Sequence, residues 1–192
     1  MSSALAIASV TAFLKSVLEN GLVDEGVNAS IGSDAIVSAL PPDRIATGAD
    51  ERPQINLFLH QVTPHAGLRT GERSGQRMAL GLDLHYLLTA YGAQDLQIEI
   101  LLGYAALVLC RMPFAGRDAI REALATLASD DHGGIPPPTL QALAGFDPGS
   151  QIERLEIRPQ YLSGEELTKI WSPLQARYRP SLSYRVSMVT IG

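Results

Sequence analysis

Two long alternating runs between Pro53 and Gly92 constrain this chain more than any other feature. In Pro53–Thr63, Ile55, Leu57 and Leu59 share one face, while Asn56, Phe58, His60 and Val62 share the other. In the second run Leu80, Leu82, Leu84, Tyr86, Leu88 and Ala90 alternate with Gly81, Asp83, His85, Leu87, Thr89 and Tyr91. The pair predicts a hairpin with one core face and one face covered in part. Its link, Pro64–Arg77, is longer than a tight turn and carries Gly67, Gly71 and Gly75 among Arg69, Arg73 and Arg77, opposed only by Glu72. A docking loop that uses the three arginines and a plain solvated turn both fit that pattern.

The remaining signals place other elements around the hairpin. Ile7, Val10, Leu14, Val17 and Leu18 recur at helical spacing until Gly21, which reads as a stop. Val27, Ala29 and Ile31 alternate as a short strand, and 32–52 is loop-like around Pro41 and Pro42. Asp95–Met112 predicts a helix apolar nearly all round, which needs cover on each side, from the sheet and from something else such as another subunit. Arg117–Ala128 is a further helix through Ile120, Leu124 and Leu127, followed by a Pro/Gly-rich surface connector at 129–150. Ile152–Arg158 predicts a strand, and Gly164–Tyr178 a helix introduced by the capping-box spacing of Ser163 and Glu166. In the last strand Leu182, Tyr184, Val186 and Met188 face inward and Ser183, Arg185 and Ser187 outward. This order predicts one α+β domain over 1–192, with a mixed, largely antiparallel sheet flanked by helices.

Several function classes lose support. A net charge of −5 disfavours nucleic acid. The charge-free run Ile100–Cys110 is 11 residues, too short to span a bilayer, and no Lys or Arg precedes the apolar Ala4–Leu14, so neither a membrane span nor a signal peptide is expected. The single Cys110 sits in an apolar run and is expected to be a buried, inert thiol. Phosphate-cradling glycine motifs and Cys-x-x-Cys or His-Glu-x-x-His spacings are absent, so no cofactor and no metal are expected. His60 and His65, five apart in an extended run, point to opposite faces and suit no shared ion. Asp83 and His85 share a strand face and could serve Ser181 or Ser183 in a serine-type hydrolase, although no Gly-x-Ser-x-Gly elbow accompanies them. Residues 1–52 hold three basic and seven acidic side chains, a balance of −4, whereas 152–192 hold six basic and four acidic, a balance of +2. Such a bias suits stacking or ring formation between copies, and equally a solvated surface.

Four stretches taken together carry a resemblance. Pro53-Gln54-Ile55-Asn56-Leu57-Phe58-Leu59-His60-Gln61-Val62-Thr63-Pro64, Leu82-Asp83-Leu84-His85-Tyr86-Leu87-Leu88-Thr89-Ala90-Tyr91-Gly92, Glu165-Glu166-Leu167-Thr168-Lys169-Ile170-Trp171 and Tyr178-Arg179-Pro180-Ser181-Leu182-Ser183-Tyr184 occur in this order. The chain resembles the N-terminal domain of cap proteins from extracellular contractile injection systems, the tail terminators of phage-tail-like particles. The resemblance implies a structural protein with a tail-terminator-like fold and no catalytic, cofactor or metal residues. It implies a ring of six copies on the distal end of an inner tube, in contact with the last layer of sheath, which ends elongation and holds the sheath extended. It also implies assembly in a bacterial cytoplasm and later membership of a released particle. Longer members carry a C-terminal extension, which is not expected here. The rivals are the small serine-type hydrolase and a monomeric adaptor or ligand-binding module.

Overall fold

The computed structural model describes residues 3–66, 80–129, 135–145, 152 and 154–191. Arg69, Arg73 and Arg77 lie outside the described residues. The elements, in order, are α1 (Ala6–Asp24), α2 (Val27–Ile31), β1 (Ile36–Ser38), β2 (Gln54–Pro64), β3 (Leu80–Tyr91), α3 (Gln97–Arg111), β4 (Phe114–Gly116), α4 (Arg117–Ser129), α5 (Pro137–Ala144), β5 (Arg154–Gln160), α6 (Gly164–Leu174) and β6 (Ser181–Ile191). The strands form one sheet in the order β1-β2-β3-β6-β5-β4. Only β1 and β2 run parallel; the other pairs are antiparallel. The α+β domain with a mixed, largely antiparallel sheet is therefore the observed fold.

The predicted hairpin is the centre of the sheet. β2 pairs β3 from Gln54↔Tyr91 to Pro64↔Leu82, with a bulge between Leu59 and Gln61. A bulge places two consecutive side chains on one side, so His60 and Gln61 both follow Phe58. Ile55, Leu57, Leu84, Tyr86, Leu88 and Ala90 face the helices and join Val10, Phe13 and Leu18 of α1, Leu101 and Ala105 of α3, and Ile120 and Leu124 of α4 in one core. Burying each such side chain contributes about 1.5–3 kcal/mol. The Tyr86 hydroxyl, inside this layer, meets Thr11 Oγ1 at 2.8 Å. The expectation of a half-covered second face holds for β2, where Phe58, His60 and Thr63 are half-buried and Gln61 is exposed, but not for β3. Residues 81–91 are all buried, because β3 is flanked by β2 and β6 and its Leu87 and Tyr91, outside the main core, are covered on the other side of the sheet. Trp171 of α6 is buried there too, outside the main core, with its ring 5.7 Å from that of Tyr178.

Other differences have local causes. Val27–Ile31 is a helix and not a strand, bounded by Gly26 and Gly32 with φ of 63° and 70°. Glycine reaches this left-handed region without a Cβ clash and so punctuates both ends. Gly21 does not stop α1, which continues to Asp24. It is where α3 crosses: a Cβ there would lie 2.5 Å from Val108 Cγ2. Gly21→Ala is expected to destabilise the domain by about 1–2 kcal/mol, overpacking against a stiff β-branched neighbour outweighing the gain in helix propensity. Urea unfolding checks this; Val108→Ala in the same chain should recover part of the loss, and a neutral Gly21→Ala would refute the close crossing.

β6 reverses phase near its end. Leu82 pairs Val189 but Leu84 pairs Val186, so Ser187 and Met188 together oppose Asp83. Met188 adopts φ 74° and is exposed, while Val189 takes the buried position expected of it. Within the expected connector, residues 137–144 form α5, which packs on α4 and buries Leu143. Cys110 is exposed, contrary to expectation, since α3 is covered on only part of its circumference: Leu101, Ala105, Val108 and Leu109 face in, while Leu107 and Cys110 face out. Among the described residues α1 alone is long and apolar enough to cross a membrane by length and composition, and more than half of its most apolar window is buried in this core.

Candidate interaction surface

The end of the sheet from which the Pro64–Arg77 link departs gathers polar side chains from three strands. β3 places Asp83 and His85 on the face away from the main core, and β2 and β5 bring Thr63 and Gln160 beside them. Asp83 Oδ1 lies 2.7 Å from His65 Nδ1. His85 Nε2 lies 2.9 Å from Thr63 Oγ1, and its Nδ1 lies 2.9 Å from Gln160 Oε1. An amide oxygen only accepts, so Nδ1 carries a proton, and in the neutral ring Nε2 accepts from the Thr63 hydroxyl.

This geometry disassembles the hydrolase arrangement. Asp83 is turned to His65 and not to His85, both His85 nitrogens are engaged, Ser183 Oγ donates to the Tyr86 carbonyl at 3.4 Å and Ser181 Oγ donates to that of Arg179 at 2.8 Å. A general base needs a free nitrogen within reach of its nucleophile. No group of three His, Cys, Asp or Glu side chains among the described residues is arranged to hold a metal ion.

His60 joins the cluster from the β2 bulge, its ring centroid 6.2 Å from that of His85 and its Nε2 buried with no hydrogen-bond partner among the described residues. Burial holds its imidazole below the ordinary histidine range, and the nearby His85 adds to the shift. The neutral ring's contribution to stability is therefore complete above the unfolded value of about 6.5 and is lost as pH falls through the lower folded value. Denaturant midpoints measured from about pH 8 down to about pH 5 are expected to fall more steeply for the native chain than for His60→Gln. Parallel curves would show that His60 is not the source.

A second polar assembly lies at the other end of the hairpin. Arg179, just before β6, reaches Glu51, just before β2, through two parallel hydrogen bonds of 2.8 Å each. Glu51 Oε1 also accepts from Gly92 N–H at 3.0 Å, beyond the end of β3, and Arg179 lies over the Tyr91 ring, 4.7 Å from its centroid. Burial by itself raises the Glu51 carboxyl; the Arg179 hydrogen bonds and charge, with the backbone N–H groups of Gly92 and Gly48, together outweigh this and hold it below its ordinary value. Sequence reasoning missed this pair, and nothing local could reveal it, because its members are 128 residues apart.

Large apolar side chains also stand exposed: Leu96 is 66% exposed and Val23 74%, Leu107 of α3 faces outward, and Tyr161 and Tyr178 flank α6. These are the residues available for contact with other chains.

Comparison with known proteins follows the same line. The Pvc16 N-terminal domain family matches residues 9–192. Among curated proteins none matches the chain. A solved structure of the anti-feeding prophage cap, the AFP tube terminating cap, superposes with a TM-score of 0.50 at 19% identity, covering 90% of this chain and 53% of that one. The sheath/tube terminator of PVC, an extracellular contractile injection system, in its extended state, gives a TM-score of 0.47 at 18% identity over 88% of this chain and 54% of that one. The chain thus spans about half the length of these solved proteins. With nearly every residue inside the match, the chain belongs to the Pvc16 N-terminal domain family.

Proposed function

We propose that this protein is a structural cap that ends the inner tube and sheath of a contractile injection system, holding the sheath extended. The observation that carries the reading is the family match over residues 9–192, supported by the fold shared with the AFP tube terminating cap. The engaged histidines and serines favour a structural role over the hydrolase. The cap is a ring of six copies, because a terminator has to match the symmetry of what it ends. Its partners are other copies, the tube and the sheath, and it becomes part of an extracellular particle after assembly in the bacterial cytoplasm. The exposed Leu96, Leu107 and Val23, together with the acidic beginning and basic end of the chain, supply apolar and complementary charged surface for neighbours in such a ring.

In this reading Arg69, Arg73 and Arg77 dock onto the tube or the sheath, supplying positive charge within a glycine-rich stretch of sequence. Electron microscopy of particles assembled with this chain should show a sixfold ring at the tube end. Particles made with all three arginines replaced by Asp should show uncapped tubes, contracted sheaths or a broader length distribution. Another symmetry, or no density for the chain at the tube end, refutes the cap; wild-type lengths with a folded triple variant refute only the loop.

A further inference from the structure

The two edges of the sheet are treated differently. On one side β4 covers Arg154–Glu156 of β5, and beyond it Pro159, preceded by the exposed Arg158, interrupts the edge. Proline has no N–H to offer and charge repels stacking, so this edge is guarded. On the other side β1 pairs only with Gln54–Asn56 of β2. The chain then leaves, because the Asn56 side chain takes over the backbone of Leu40: its Oδ1 accepts from Leu40 N–H at 3.0 Å and its Nδ2 donates to Leu40 O at 2.8 Å. From Leu57 to Thr63 the outer edge of β2 has no strand partner among the described residues, and that stretch contains no Lys, Arg or Pro.

A groove of about 480 Å³ lies along this edge on the helix side, lined by Ile7 and Thr11 of α1, Leu40, Leu59, and Thr139 and Leu143 of α5. Side chains of an added strand alternate between the two sides of the sheet. Those on the helix side would enter the groove, and those on the other side would meet His60, Gln61 and Thr63.

The geometry points to strand addition at this edge. β2 between Leu57 and Thr63 accepts an extended segment of a partner protein, about five to seven residues alternating apolar and polar, with main-chain hydrogen bonds for affinity and the groove for selectivity. Neither sheet edge of a second copy supplies that segment: its own β2 has Leu57 and Leu59 committed to its own core layer, and its β5 edge is guarded. The inference rests on edge and groove alone and does not depend on the cap reading.

The test uses the full chain and a fluorescent library of acetylated heptapeptides alternating Val, Leu or Ile with Thr, Ser or Gln, read by anisotropy. Members are expected to bind, and Leu40→Asp, at the groove mouth, should weaken the tightest at least about tenfold. N-methylation of one alternate set of its amides should weaken binding by about tenfold or more, through loss of two or three ladder bonds, whereas methylation of the other set should not. Hydrogen exchange should slow at Leu57–Thr63 when that peptide binds. Failure of every heptapeptide to bind, equal affinity of both methylated forms, or β2 amides already protected in a self-associated chain would each overturn the inference.

Discussion

Arg179→Ala is expected to destabilise the domain by about 3 kcal/mol, the lower end of the range for breaking a buried ion pair. The side chains of Arg179 and Glu51 are only 14% and 8% exposed, so removing the guanidinium strands a carboxylate that water reaches poorly. The pair ties the turn at Gly48–Asp50 and the start of β2 to Gly92 and the start of β6. Its loss loosens three chain segments together. Arg179→Lys is expected to recover little, since an ammonium cannot occupy both carboxylate oxygens in the plane of the fork or lie flat over Tyr91. Arg179→Met combined with Glu51→Gln should recover much of the loss, because no buried charge is left unpaired. Urea unfolding of the three variants checks the set. A loss below about 1 kcal/mol for Arg179→Ala would mark the pair as an ordinary surface contact. The pH dependence has a definite sign: the Glu51 carboxyl is lowered in the folded state, so its contribution is present above the unfolded value of about 4.3 and is lost as pH falls through the lower folded value.

Asn56→Asp is expected to cost about as much or more, in the range of about 3–5 kcal/mol at neutral pH. Asn56 is 0% exposed, accepts from Ser38 Oγ at 2.8 Å as well as from Leu40 N–H, and donates to Leu40 O. The substitution turns that donor into a second acceptor aimed at a carbonyl and buries a charge among the neutral partners Ser38 and Leu40. The carboxyl should titrate above its unfolded value of about 3.9, so the penalty is full at neutral pH and shrinks as pH falls, when a protonated Asp can donate to Leu40 O again. Asn56→Ala should instead lose about 1–3 kcal/mol at every pH. Unfolding curves at about pH 7.5 and about pH 4.5 separate the two variants; a loss for Asn56→Asp that does not depend on pH would refute the buried-charge account.

Elements were legible in the sequence where one period dominated. The hairpin arms, the helix through Ile120, Leu124 and Leu127, and the Ser163–Glu166 cap, with Glu166 N–H donating to Ser163 Oγ at 3.3 Å, stand where local pattern put them. Val27, Ala29 and Ile31 fit a period of two, but Val27 and Ile31 are also one helical turn apart, and both are buried. Glycine-bounded helix and short strand are then indistinguishable from five residues. Gly21 carried a stop signal whose true meaning, contact with Val108, depends on a helix 87 positions away. At Met188 a left-handed backbone under a methionine side chain has no local sequence marker. The polar assemblies were less visible still. Asp83 and His85 suggested each other by proximity in sequence, yet their partners, Thr63 of β2, His65 just beyond it and Gln160 of β5, could be found only once the register was known.

The pairing of β3 with β6 also sets an order of events during synthesis. β3 ends at Tyr91 and β6 begins at Ser181, so the ribosome adds about 90 residues before the second neighbour of β3 exists. At roughly 5–20 residues per second that interval lasts about 5–20 s, far longer than the microseconds a hairpin needs to close. For those seconds a finished β2–β3 hairpin presents a bare β3 edge made almost wholly of residues destined for burial, while β6 can still be supplied by a neighbouring nascent chain. Slower translation over residues 92–180 is therefore expected to lengthen the exposure of that edge, and a neighbouring nascent chain is the alternative source of a β6 strand.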